Sequence, residues 1–407
     1  MNEALTYLRD LPKAELHVHL DGSLRLSTFI ELAKESRVQL PSYTESGLIE
    51  ILFKKSYPDL RAYLACFAYT DAVLKNPEHL ERAAYELALD NHAEHVYFVE
   101  VRFAPQQHIS RHLHTMLESM RAVDQGLKRA AHEINSSEQV MQGQTPHFAF
   151  GITCCAMRSF LPDDHYFGDL VRRSSSASPA ERLQQAALEL VHASVAAREN
   201  EEITVVGVDV AGQELGWDVR LFAPAFRYAK EHGLHTTAHA GEELGLEIIY
   251  EAIAMLGVER IGHGLHLFDR VKDGEYEQQD RALLKQVIEL IHDRNIAIET
   301  CPSSNFQTDP LLHGNLKNHV IRHLLDHQIA TVICTDNRLV SHTTLTAEYE
   351  RVAGKLALGP DMMGTFARRS FEHAFFPGSR KERDAYITKA QTIIEKIVET
   401  AGTHMHT

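Results

Sequence analysis

Basic charge is in short supply in this sequence. Lys and Arg number 41 against 56 Asp and Glu, a formal net charge of −15 over 407 residues with histidine neutral. That balance speaks against a surface built to follow a nucleic-acid backbone. Cysteine is scarce and scattered: Cys66, Cys154, Cys155, Cys301 and Cys334 form no CxxC pair, so neither a disulfide framework nor a structural zinc knuckle is expected. No apolar run approaches the ~18 residues of a membrane span, and MNEALTYLRDLPKAELHVHL lacks the basic-then-apolar order of a secretory signal. A reducing cytoplasm is the expected compartment, with no membrane partner. Repeats are missing too. INSSEQVMQGQTP (134–146) and RRSSSASP (172–179) read as surface loops rather than domain linkers, so residues 1–407 are expected to form a single domain.

What is there is an ordinary globular balance, 44% hydrophobic and 24% charged. Eight β-rich runs stand out: AELHVHL (14–20), VYFVEVRF (96–103), HFAFGIT (147–153), ITVVGVDV (203–210), LHTTAHA (234–240), RIGHG (260–264), AIAIETC (295–301) and IATVICTD (329–336). Several are almost continuously apolar, as parallel strands covered by helices are. Helical patterns lie between them. RLFAPAFRYAKEHG (220–233) stops at Gly233, and SPAERLQQAALELVHASVAAREN opens with Ser178 as N-cap, Pro179 in the first turn and Glu181 closing a capping box. Strands alternating with helices eight times predict an α/β fold, a (β/α)8 TIM barrel. About 75 residues separate the first two strands. FIELAKES, YLACFAYTDAVLK and HLERAAYELALDNHAEH within them predict a helical insertion over the barrel mouth.

Histidine is abundant, 26 in all, and three HxH triplets occur: His17/His19, His112/His114 and His404/His406. Roughly one or two are expected by chance in such a chain, so position must decide. His112/His114 reads as a helix start, where i and i+2 diverge, and His404/His406 as a disordered tail. His17 and His19 sit at the carboxyl end of the first strand on one face, where barrel enzymes build their sites. The fifth strand ends in HAGE (239–242), the sixth in GHG (262–264) and the eighth in TDN (335–337). Singly, His239 reads as a core histidine, Asp336 as a helix N-cap and Glu242 as a carboxylate at a helix N-terminus. Together they put imidazoles and carboxylates on one rim, a set suited to a borderline cation such as zinc with a position left for water.

LPKAELHVHLDGSL, VVGVDVAGQE, TAHAGE, RIGHG, ETCPSSN and CTDN follow one another at strand ends from Leu11 to about Glu350. In that order they resemble the adenosine deaminase family of the amidohydrolase superfamily. The resemblance implies one Zn2+ per chain held by His17, His19, His239 and Asp336, and a purine nucleoside as small-molecule partner. It implies that Glu242 protonates the ring nitrogen beside the amino-bearing carbon and that His263 orients and deprotonates the attacking water. Gly212 would approach the purine with its backbone, and His19 and Asp21 would lie near the sugar hydroxyls. Where the family pattern has two consecutive Asp residues, this chain has Asp336-Asn337, like a subgroup of bacterial members. Asn337 donates at any pH, so it suits an acceptor nitrogen of the purine. The implied reaction is deamination of adenosine and 2′-deoxyadenosine. Adenine, N6-methyl-AMP and aminodeoxyfutalosine are the rival substrates, and a non-catalytic nucleoside binder is the rival class. A dinuclear relative would need a lysine in the fourth strand, which ITVVGVDV lacks, and the zinc cytidine deaminases a PCxxC, also absent.

Overall fold

The computed structural model describes residues 5–160, 165–269, 278–312 and 314–405. Eight parallel strands run in sequential order: β1 (Lys13–His19), β2 (Val96–Phe103), β3 (Ala149–Met157), β4 (Val205–Ala211), β5 (His235–Ala240), β6 (Arg260–His263), β7 (Ala297–Thr300) and β8 (Thr331–Ile333). The last gap is bridged where Asp336 N–H donates to the His17 carbonyl at 2.8 Å and His19 N–H to the Asp336 carbonyl at 2.7 Å. A candidate site residue is therefore part of the backbone seam that closes the barrel.

The expected strands are all present. β3 differs most in extent, running to Met157, because Cys154, Cys155 and Ala156 prolong the buried run and the ladder to β4 continues to the Met157–Ala211 pair. Helix Pro179–Glu201 carries the expected capping box at Ser178 and Glu181. Gly233, at φ +70°, follows helix Ala223–Glu231. Five helices lie between β1 and β2: Leu26–Ser36, Glu45–Ile51, Leu60–Leu64, Phe67–Val73 and Pro77–His92. Two expectations need correction. The loop at 134–146 contains a short helix, Glu138–Met141, and the tail is helical to Met405, because Ala390, Ile394 and Val398 of helix Arg380–Met405 are buried in the core. His404 thus lies in a helix, while His406 falls outside the described residues. His112 and His114 precede helix Met116–Asn135, which is capped by Thr115. Among the described residues no helix is long and apolar enough to cross a membrane.

Strand alternation sends apolar side chains outward under the helices and polar ones inward. Val99 and Val101 of β2 join the main apolar core, while Glu100 and Arg102 meet partners from other strands inside the barrel. Arg102 donates to Asp209 (β4) and Glu299 (β7), each at 2.9 Å, and to the Leu16 carbonyl (β1) at 2.6 Å. Arg260 (β6) donates to Glu299 at 2.6 Å and grips Glu100 through both terminal nitrogens. Every member of this lattice is buried. Removing one partner of a buried ion pair strands the others' charge, at about 3–5 kcal/mol. Arg260→Met should therefore lower the free energy of unfolding by that amount, measured by chemical denaturation.

Candidate active site

The ends of β1, β5, β6 and β8 deliver side chains to the carboxyl-terminal mouth of the barrel. His19, Asp21, Gly212, His239, Glu242, His263, Asp336 and Asn337 line one pocket, and His17 lies fully buried beneath them. All nine residues singled out in the sequence thus come together. Three of them sit on unusual backbone: His263 at φ +65° and Asp336 at φ +63°, where side chains other than glycine are uncommon, and Gly212 at φ +92°.

The four candidate ligands converge. His19 Nε2 stands 3.1 Å from His239 Nε2, and Asp336 Oδ1 lies 3.4 Å from the Nε2 atoms of both His17 and His19. Two zinc bonds of 2.0–2.1 Å at a tetrahedral angle separate their donors by about 3.3 Å, so this spacing fits a tetrahedral cation. The orphaned atoms agree with that fit, since His17 Nε2 is buried and meets no hydrogen-bond partner. The other ring nitrogens face carboxylates of the lattice below. His17 Nδ1 donates to Glu299 at 2.7 Å, and His239 Nδ1 stands 2.9 Å from Asp209 Oδ2. Those carboxylates fix which nitrogen points at the cation position. Ser304 Oγ donates to the second Asp336 oxygen at 2.6 Å, leaving Oδ1 to the site.

Glu242 follows β5 after Gly241, which holds φ +77°. Its loop is tied down by buried Glu214, which accepts the backbone N–H groups of Glu242, Glu243 and Leu244 at 3.2, 3.1 and 2.8 Å. Arg158 adds a second tether, donating to the carbonyls of Gly212 and His239 at 2.9 and 2.6 Å. The Glu242 carboxyl lies 3.7 Å from His263 Nε2. Burial, then the charges of Asp336 and Glu214, push it well above the ordinary carboxyl range, which favours the protonated acid.

The tautomer of His263 follows from a chain that ends on the backbone. Ile321 N–H donates to His319 Nδ1 at 3.2 Å, so the neutral His319 ring carries its proton on Nε2 and donates to Asn305 Oδ1 at 3.0 Å. That fixes the Asn305 amide, whose nitrogen donates to His263 Nδ1 at 3.1 Å. Neutral His263 must then carry its proton on Nε2, toward the pocket, and burial keeps the ring neutral by lowering its pKa well below the usual imidazole value.

Asn337 lines the pocket, with its amide nitrogen donating to Tyr63 Oη at 2.8 Å and its Oδ1 buried without a partner. A Cβ on Gly22 would stand 1.8 Å from that Oδ1, so glycine is required there. Leu64, Phe67, Met157 and Phe160 supply apolar wall. Sequence reasoning missed Asp209, Glu299, Glu214, Arg158 and Asn305. Asp209 and Glu214 stood inside the quoted motif VVGVDVAGQE and Glu299 and Asn305 inside ETCPSSN, and a charged residue within an apolar strand was the available signal for Asp209.

A parallel barrel with three imidazoles and a carboxylate converging at its carboxyl-terminal rim defines a metal-dependent hydrolase barrel. The adenosine deaminase family model matches residues 12–146 and 177–388, and the chain belongs to that family. It is 31% identical to adenosine deaminase 1 of Streptomyces coelicolor over 372 residues, covering 91% of this chain and 84% of that one. Two solved structures share the fold. A COG1816 amidohydrolase from Burkholderia ambifaria with bound Zn superposes with a TM-score of 0.76 at 18% identity, covering 99% and 96% of the two chains. The N6-mAMP deaminase MAPDA of Arabidopsis superposes with a TM-score of 0.69 at 23% identity, covering 95% and 99%.

Second-sphere carboxylates typically contribute 10- to 100-fold to metal affinity. Glu299→Gln, which keeps shape but weakens the acceptor behind His17, should weaken zinc binding by about that factor in a competition titration against a chromogenic chelator.

Proposed function

We propose that the chain hydrolyses adenosine and 2′-deoxyadenosine to inosine and 2′-deoxyinosine, releasing ammonia. The observation that carries this reading is a buried carboxyl, Glu242, lying within 4.8 Å of the donor Asp336 and pushed toward its acid form by that burial. His17, His19 and His239 through Nε2 and Asp336 through Oδ1 would hold one Zn2+. When bound, that ion supplies a Lewis acid that lowers the pKa of water and draws it toward the purine. Its donor set of three neutral imidazoles and one carboxylate leaves net positive charge for that purpose.

The protein's own groups do the rest. Purine carbon 6 resists attack until the ring is made electron-poor, and Glu242 does this by giving its proton to the adjacent ring nitrogen. His263 presents an N–H and donates to the oxygen of the attacking water, which holds it in line. In this tautomer His263 cannot take the water's proton, so it serves to hold the water in line and not as the base expected of it. Water oxygen bonds to carbon 6, one of its protons passes to the exocyclic amine as the carbon–nitrogen bond breaks and ammonia leaves, and the other restores the Glu242 acid as the carbon–oxygen double bond forms. Gly212 offers room for the base, Asn337 its remaining amide hydrogen to the imidazole nitrogen, and Asp21 and His19 the sugar end. Retention of both Glu242 and His263 in one pocket favours an enzyme over a nucleoside-binding relative.

A panel of adenosine, 2′-deoxyadenosine, adenine and N6-methyl-AMP, followed by ultraviolet absorbance and ammonia release, tests the reading. The two nucleosides should react with comparable efficiency, and a large preference for adenine or N6-methyl-AMP would contradict it. Glu242→Gln should keep zinc and fold yet lose at least about 10²-fold in kcat, since the amide cannot deliver a proton. Because the acid works protonated and its pKa is raised, wild-type kcat should hold through neutral pH. It should fall on the alkaline side as Glu242 deprotonates, a limb read from the pH–rate profile.

A further inference from the structure

Beside this pocket lies a second cluster that the proposed chemistry leaves unused. Asp71, in helix Phe67–Val73, is buried and lines the pocket, and its carboxyl hydrogen-bonds that of Asp21. A ring nitrogen of His108 lies within 4.8 Å of a carboxyl oxygen of each. His108 is fully buried, and buried Asp21 Oδ1 meets no hydrogen-bond partner. Polar atoms left in that state are costly unless a ligand completes them. Asp71 and Gln107 also line a wide outer cleft that carries Arg37, Lys75 and Arg111, so Asp71 stands on the boundary between pocket and cleft.

Resting on the adenosine reading, we propose that Asp71, paired with Asp21, is a specificity-determining residue that admits a nucleoside with a free 5′-hydroxyl and rejects its 5′-phosphate. With the base end set by Glu242 and Gly212 and the sugar end by Asp21, the exocyclic 5′-carbon is the arm of the sugar that reaches toward Asp71. A hydroxyl both donates and accepts, and so satisfies a carboxylate. A phosphate ester places its phosphorus one bond beyond the 5′-oxygen, at the carboxyl pair on the boundary with the outer cleft. There its oxygens, all acceptors, would meet acceptors of like charge. The cations beyond are partly engaged already: Lys75 Nζ donates to the Gln107 carbonyl, and Arg111 Nε to His112 Nε2 at 3.0 Å.

The test is kcat/KM for adenosine and for AMP with the zinc-loaded wild type, Asp71→Asn and Asp71→Leu, with zinc content and melting temperature recorded for each. Wild type should prefer adenosine by at least about 10²-fold, and both variants should reduce that ratio by at least about tenfold, chiefly by gaining on AMP. Wild type alone provides an arm that needs no variant to fold, in which inosine should inhibit at least about tenfold more tightly than IMP. Equal inhibition by the two, a wild type that prefers AMP, or a ratio unmoved in zinc-replete, stably folded variants overturns the assignment while deamination itself stands. A wild type inert toward every 6-aminopurine overturns the deaminase reading, and the assignment with it.

Discussion

Two arginines buried inside a barrel set the terms for everything above them. Arg102 and Arg260 cannot shed their charge, so carboxylates from β2, β4 and β7 must meet them, and two of those carboxylates, Asp209 and Glu299, are the ones that orient the imidazoles. Glu100, Asp209 and Glu299 against two guanidiniums leave one negative charge beneath His17 and His239. That surplus favours imidazole N–H groups pointing downward and lone pairs pointing up. The same ionic floor that fills the barrel therefore preorganises a cation site at its mouth. Because the lattice spans five strands, the ligands' positions are fixed by the fold and do not depend on a mobile loop.

The proton inventory is set in a comparable way from outside the pocket. Glu214 anchors the loop that carries Glu242 and adds its charge to the forces that raise the pKa of Glu242. A single backbone N–H, that of Ile321, determines through His319 and Asn305 which nitrogen of His263 bears hydrogen. Neither device touches substrate in this reading, yet together they decide which groups give protons and which hold water.

Strand order and seven of the nine pocket residues were legible as local pattern, near-continuous apolar runs for parallel strands and polar residues where such a run ends, while Asp21 and Gly212 came only with the family resemblance. HAGE, GHG and TDN announce themselves by breaking that pattern at a strand's carboxyl end. The supporting partners were less visible. Glu299 lies between Ile298 and Thr300 in a strand, where a lone carboxylate reads as noise until Arg102, 197 residues away in sequence, is seen to meet it. The His263 relay joins Asn305 to His319 and Ile321 some way further along the chain, so no periodicity reports it. The reach of β3 to Met157 and of the last helix to Met405 was set by tertiary burial, which overrode the local signals of loop and tail.

The central claim is that one zinc at this donor set turns the pocket into a deaminase. The most direct measurement is ammonia release from adenosine by metal-stripped protein during a titration with zinc. The rate should rise from near zero in proportion to zinc and level off at one equivalent per chain. A plateau reached only at two equivalents would contradict the single-ion site, and no ammonia at any zinc load would contradict the reaction.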